Sequence, residues 1–385
     1  MVRHYVMATA AAALLMAAGT ATTGAQAATA TTSDFGTLSN GGKVTAITLK
    51  NAHGLTARII TQGATWQSMI VPDRKGHMAD LILGYDTLAD YDTHHFFSGD
   101  TVGRYANRIK LGKFSLDGKD YQLAANNPPN SLHGGPAGFW SKNWTVERVD
   151  AGGAGKTASV TLKYVSPDGE ENYPGTMTVF VTYSLNDNND LTISYKATTD
   201  KPTIVNLTNH ALFNLAGVTS GRSALDAEVK VEADTYLPTE NAIPTGELKP
   251  VKGTPFDFTR LTVVNSVVRD ARDPQILKGT GIDHNFDIRG GVTAKPKLAV
   301  TAIDEQSGRA MTISTTEPGI QFYTGNFLDG KMPGKGGQAM RMGDGMAFES
   351  QHYPDSPNQP SFPSTRLDPG QTYTQVTVHH FYTIK

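Results

Sequence analysis

From residue 44 to the C-terminus, apolar residues recur at every second position in short runs, and almost never at every third or fourth. A period of two marks pleated strands with one face in a core; a period near 3.6 would mark helices. "LTARIITQGATWQSMIVPD" reads as two strands meeting around Gln62-Gly63. "KFSLDGKDYQL" is a hairpin with Asp117-Gly118 at its tight turn, a pairing suited to two residues of positive φ. "MTVFVTYSLNDNNDLTISYKA" is a second hairpin turning at Asn186–Asp190. "KLAVTAI", "AMTISTT", "GIQFYTGNF", "MAFESQ" and "QTYTQVTVHHF" follow as further strands, and one helical turn is expected near Leu88–Tyr91. The pattern predicts an all-β protein, a large antiparallel β-sandwich. No shift in composition divides residues 44–385, so they are read as a single domain.

Two segments precede that domain. Arg3 and His4 begin a short basic start, Val6–Ala18 is an apolar or small run too short to span a bilayer, and "AQA" at 25–27 fits a cleavage site. Residues 1–27 are therefore expected to be a signal peptide, and the mature chain to be periplasmic or secreted. Residues 28–43, rich in Thr, Ser, Ala and Gly, are expected to form a flexible leader. The chain has no cysteine, which excludes disulfides, thiol catalysis and cysteine-ligated metals. A formal net charge of -2 argues against a nucleic-acid binder. No membrane contact is expected after signal cleavage.

Eleven histidines are present, and most are set aside. His94-His95 and His379-His380 are adjacent pairs, and neighbours on a strand point to opposite faces. No HExxH spacing, phosphate loop or G-x-S-x-G elbow occurs. His133 lies in "NNPPNSLHGGPAGFW", a loop of the composition that projects side chains from a rigid scaffold. His210 lies in "NLTNHALFNL", where alternation puts Asn206, Thr208, His210, Leu212 and Asn214 on one face and Leu207, Asn209, Ala211, Phe213 and Leu215 on the other. A mostly polar face on an otherwise apolar strand fits the floor of a cleft. Glu349 sits on the apolar strand "MAFESQ", where a carboxylate is costly to bury unless paired or functional. Asp283 begins "DHNFDI", and "GRYANRI" supplies Arg104 and Arg108. Taken singly, each has a structural explanation: a turn histidine, a satisfied core histidine, a structural ion pair, surface arginines.

Together the segments "GRYANRI", "LHGG", "NLTNHALFNLAG", "GIDHNF", "GIQFYTGNF", "ESQHYPDSPNQPSFPS" and "LDPGQTY" resemble the aldose 1-epimerase (galactose mutarotase) family, in the family order and over most of residues 40–385. The resemblance implies a supersandwich with an open sugar cleft and an isomerase that interconverts the α and β anomers of free aldohexoses. It implies His210 as the acid, Glu349 as the base and His133 as a supporting catalytic histidine that polarises the ring oxygen. It places Arg104, Asp283, Gln321 and Asn107 on the sugar hydroxyls, and calls for no metal and no organic cofactor. A nearby carboxylate, Asp283 or Glu349, is expected to raise the pKa of His210 so that it is protonated when sugar binds. The partner is a monosaccharide, and a monomer or weak dimer is expected.

Two other classes are open to the same residues. A glycoside hydrolase or lyase would use Asp283 and Glu349 as its carboxylate pair. A non-catalytic carbohydrate binder would use Trp66, Trp140 and Trp144 as stacking platforms.

Overall fold

The computed structural model describes Met1 and residues 27–153 and 156–385, so the expected signal peptide lies outside the described residues except for its two end positions. Strand alternation sets the architecture. Along Met177–Leu185 every odd-numbered residue is buried and every even-numbered one is partly exposed. That strand lies in a nine-stranded antiparallel sheet running from Thr145–Asp150 at one edge to Thr262–Val263 at the other, with Asp190–Thr199 and Tyr373–Thr383 at its centre. A six-stranded sheet orders Leu212–Phe213, Met346–Gln351, Gly319–Tyr323, Asp283–Ile288, Ala233–Tyr236 and Lys249–Pro250. A five-stranded sheet runs in chain order from Thr29–Thr37 to Met78–Asp80. One continuous apolar cluster draws on all three: Ile59 and Met69, Val181 and Ile193, Phe286 and Phe322. Within it Phe322 stacks on Phe348 with ring centroids 4.8 Å apart. Truncating either ring to alanine is expected to cost about 3–5 kcal/mol.

The hairpins fall where turn chemistry placed them. Asp117 and Gly118 have φ of 53° and 74°, joining Lys113–Leu116 to Lys119–Gln122. Among the described residues the α-helices are two single turns, Leu88–Thr93 and Pro274–Gly279. The second, capped by Asp273 with proline at its start, was not legible as a periodic pattern because six residues are too few to show one. No helix among the described residues is long and apolar enough to cross a membrane.

Two expectations are corrected. The flexible leader of residues 28–43 is instead a strand, Thr29–Thr37, paired antiparallel with Lys43–Lys50 from Thr29↔Lys50 to Thr37↔Lys43. Its β-branched threonines suit a pleated edge, and its polar composition reflects solvent exposure rather than disorder. The segment "NLTNHALFNL" is not one strand. It is two short ones, Thr208–Asn209 and Leu212–Phe213, separated at His210. There the backbone pairs with a loop: His210 N–H donates to the Asp100 carbonyl at 3.0 Å, and the His210 carbonyl accepts from Gly99 N–H at 3.0 Å. Only glycine fits at position 99, because a Cβ there would lie 2.3 Å from the Trp66 carbonyl oxygen at a φ of +80°. The predicted division of faces survives in part: Leu207, Ala211, Phe213 and Leu215 are in the main core, while of the predicted cleft face only His210 and Leu212 line the cavity and Thr208 lies beside Asn209 against Tyr195 and Phe348.

Candidate active site

The six-stranded sheet builds one wall of the site. Register pairs Asn285 with Gln321 and Gln321 with Glu349, and also Asp283 with Tyr323. Side chains alternate across each strand. Asp283, Gln321, Tyr323 and Glu349 therefore share one face, while Phe286, Ile320, Phe322 and Phe348 take the other and enter the core. Gln321 donates Nε2–H to Asp283 Oδ1 at 2.7 Å. The Arg108 guanidinium lies 3.7 Å from the second oxygen of Asp283, and Arg108 Nε donates to Asn127 Oδ1 at 3.0 Å.

His210 closes on this wall from the broken strand, its Nε2 3.6 Å from Glu349 Oε1. Both side chains are almost wholly buried. The His133 ring stands edge-on to the His210 ring, with centroids 5.2 Å apart. His133 follows the two-residue strand Ser131–Leu132, which pairs with Arg108–Ile109. This brings the "LHGG" loop against "GRYANRI", and Gly134 is obligatory because a Cβ there would lie 2.0 Å from the Gly103 carbonyl oxygen. The cavity between these groups encloses about 250 Å³ and is lined by Asn107, Arg108, His133, His210, Asp283 and Glu349, with His95, Phe97, Tyr323 and Phe327 among its aromatic groups. Small-molecule pockets typically span ~300–1,000 Å³; this one suits a single sugar ring.

Burial governs the ionisation of the pair. It pushes the Glu349 carboxyl well above the usual carboxylate range, with the Asp283 charge adding to the effect and Arg108 opposing it. It pushes His210 down to about 4, against a smaller upward pull from Asp283. The expectation of a raised His210 pKa is therefore corrected: loss of water outweighs the nearby carboxylate. Burial thus disfavours the charged form of each group, the Glu349 carboxylate and the His210 imidazolium alike. Glu349 Oε2, His210 Nδ1 and Gln321 Oε1 are buried with no side-chain or backbone partner within hydrogen-bond geometry.

The nitrogens and carboxylate of His133, His210 and Glu349 lie within 4.8 Å of one another, a spacing a divalent metal could bridge. The hydrogen bonding does not suit one. Asn107 N–H donates to His133 Nδ1 at 3.2 Å, which puts the ring proton on Nε2 and removes the lone pair a metal would take there.

Of the residues singled out in the sequence, His210, Glu349, His133, Asp283, Gln321 and Asn107 come together. Arg104 does not, which corrects its assignment to the sugar. Its guanidinium is buried away from the cavity, donating to the Pro174 and Gly175 carbonyls at 2.8 and 2.9 Å and to Ser166. Arg108, four residues on, stands in the cavity instead; the adjacency of Arg108 to Asn107 was the signal available. His95 was set aside with His94 and is nevertheless in the cavity wall. Trp66 and Trp144 belong to the core rather than to any stacking platform. His284 lies outside the cavity, its Nδ1 accepting from the Asp283 N–H at 3.2 Å and its Nε2 3.0 Å from Gln275 Oε1.

Fold and cavity together define a protein that holds a buried imidazole–carboxyl pair in a sugar-sized pocket on a large antiparallel sandwich. The family described as aldose 1-epimerase matches residues 45–380. Galactose mutarotase from Homo sapiens is 42% identical over 355 residues, covering 92% of this chain and 99% of the human protein. Aldose 1-epimerase from Escherichia coli K12 is 35% identical over 338 residues, covering 87% of this chain and 94% of its own. An aldose epimerase homologue from C. elegans superposes with a TM-score of 0.78 at 33% identity, covering 87% of this chain and 98% of that one. Galactose 1-epimerase from Lactobacillus acidophilus gives a TM-score of 0.80 at 27% identity, covering 93% and 100%. The chain belongs to the aldose 1-epimerase family and is a carbohydrate isomerase.

Proposed function

We propose that the protein interconverts the α and β anomers of free aldohexoses such as glucose and galactose, with Glu349 and His210 as the proton-transfer pair. The observation that carries this reading is the 3.6 Å approach of His210 Nε2 to Glu349 Oε1 in a sugar-sized cavity. Opening the ring needs a proton removed from the O1 hydroxyl and a proton delivered to O5. The Glu349 carboxylate takes the first as the O1 electrons form the carbonyl and the C1–O5 bond breaks. The His210 imidazolium gives the second to O5. Rotation about C1–C2 turns the aldehyde over, and the reverse transfers close the ring to the other anomer. Each positioned transfer contributes about 10²–10⁴-fold.

After ring opening Glu349 is protonated and His210 neutral. Those are the uncharged forms that burial favours. The cavity is thus matched to the open-chain state, the least stable species on the path. The bound cyclic sugar, through hydroxyls on Glu349 and on Asp283 beside Arg108, supports the opposite, ionic distribution from which opening starts. His133, with its proton on Nε2, is a neutral donor for the ring oxygen. Asn107, Arg108, Asp283 and Gln321 hold the remaining hydroxyls and fix the ring between acid and base. A hydrolase would need Asp283 as its second working carboxylate; here Gln321 and Arg108 engage both Asp283 oxygens.

Polarimetry of fresh α-D-glucose and α-D-galactose tests the reading. Equilibration well above the spontaneous rate, with no new reducing ends from oligosaccharides, is expected; spontaneous-rate equilibration would refute it. For location, the basic start, the short apolar run and the "AQA" site support export with cleavage after Ala27. N-terminal sequencing of the mature protein is expected to begin at Ala28.

A further inference from the structure

His95 lies in the cavity wall but is not one of the groups the proton transfers use. Three side chains hold it. Its ring stacks on Trp140 with centroids 3.8 Å apart and planes 24° from parallel. Phe97 meets it edge-on at 4.5 Å. Its Nε2 faces Asp100 Oδ2 at 3.7 Å, and Asp100 itself is buried, accepting from Thr65 Oγ1 at 2.6 Å. The ring plane is fixed by Trp140, and its Nε2 edge lies toward Asp100, beyond hydrogen-bond distance.

Burying a carboxyl group with no cationic partner is costly. A phenylalanine at position 95 would keep the stack on Trp140 without it. The arrangement is therefore costly as packing and makes sense as orientation of a polar group. Asp100 is also tied to the proton-transfer pair, since its carbonyl accepts from His210 N–H at 3.0 Å. Phe97 stands between the two histidines, 4.5 Å from the His95 ring and 6.0 Å from the His210 ring. A sugar with C1 and O5 at His210 and Glu349 would meet His95 only with a hydroxyl remote from the anomeric carbon.

We propose that His95 is a specificity-determining residue that hydrogen-bonds one hydroxyl at C3, C4 or C6 of the aldohexose, and that Asp100 is its positioning residue. The proposal rests on the cavity being the sugar site. Because this contact is made equally before and during ring opening, it contributes to binding rather than to the chemical step.

The test is polarimetric KM and kcat for wild type, His95→Phe, Asp100→Asn and the double variant, on glucose, galactose and their 2-, 3-, 4- and 6-deoxy derivatives. His95→Phe is expected to raise KM for the parent sugars about tenfold, the worth of one hydrogen bond, with kcat within about threefold. For one of the 3-, 4- or 6-deoxy sugars the KM is already raised in wild type and rises no further in the variant. The 2-deoxy sugar responds like the parent. Asp100→Asn gives a smaller KM rise that disappears in the His95→Phe background, and it carries the test alone if His95→Phe does not fold. Unchanged KM in both single variants, or an equal KM rise for every deoxy sugar, overturns the proposal. Failure of the mutarotase reading itself would show separately, as no wild-type rate above the spontaneous one.

Discussion

Asn107 and His133 are clamped to each other twice. The Asn107 N–H donates to His133 Nδ1 at 3.2 Å, and the His133 N–H donates to the Asn107 carbonyl at 2.9 Å. Both residues sit at positive φ, 60° and 51°, a region asparagine and histidine enter more readily than most. A backbone N–H always donates, so Nδ1 must accept and the imidazole proton must sit on Nε2. Burial and the neighbouring His210, Arg108 and His95 hold His133 well below the usual imidazole range.

Long-range proton–nitrogen NMR correlations are therefore expected to show His133 neutral and protonated on Nε2 from pH 5 to 8. A ring titrating near 6.5, or carrying its proton on Nδ1, would contradict the clamp.

The two arginines of "GRYANRI" are expected to fail in different ways. Arg108→Ala removes the cation beside Asp283 and Glu349 and should lower kcat/KM by about 10²-fold in the folded protein by misplacing the sugar. Arg104→Ala strips the buried Pro174 and Gly175 carbonyls of their donor, at a cost of about 1–3 kcal/mol per unsatisfied group. Its KM should hold in the folded fraction. Thermal unfolding beside steady-state polarimetry separates the two, and the reverse pattern would restore Arg104 to the sugar.

The resting proton of the pair has a pH signature. Activity needs one proton shared by Glu349 and His210. As pH falls, a second proton arrives only near the depressed His210 value of about 4; as pH rises, the last leaves only above the raised Glu349 value. The acid limb of kcat/KM should accordingly lie near 4, with none near 6.5.

If the Nε2 proton of His133 excludes a bridging metal, prolonged dialysis against EDTA should leave kcat unchanged. A loss of rate reversed by one divalent cation would contradict the hydrogen-bond assignment.

Much of this was legible in the sequence because strands announce themselves by period two. The same alternation that puts Phe348 in the core puts Glu349 on the opposite, cavity-facing side. His210 was legible for a related reason, a polar face on an apolar segment, although the segment breaks at that residue to pair with Gly99 and Asp100. What was not legible came from loops. Arg104 and Arg108 look alike in one dimension, and only the pairing of Ser131–Leu132 with Arg108–Ile109 decides which one enters the cavity. His95 depends on Asp100 in its own loop and on Trp140 from the turn Phe139–Ser141, a long-range meeting that no local pattern marks. The sign of the His210 shift was beyond sequence, since it turns on burial outweighing a nearby carboxylate.

The most direct measurement is the turnover of Glu349→Gln, His210→Asn and the double variant on α-D-galactose, each confirmed folded. If the two groups work as one proton-transfer pair, each single variant loses about 10²–10⁴-fold in kcat, and the double variant is scarcely worse than either single one. Near-wild-type turnover in either single variant, or losses that multiply in the double, would contradict the pair.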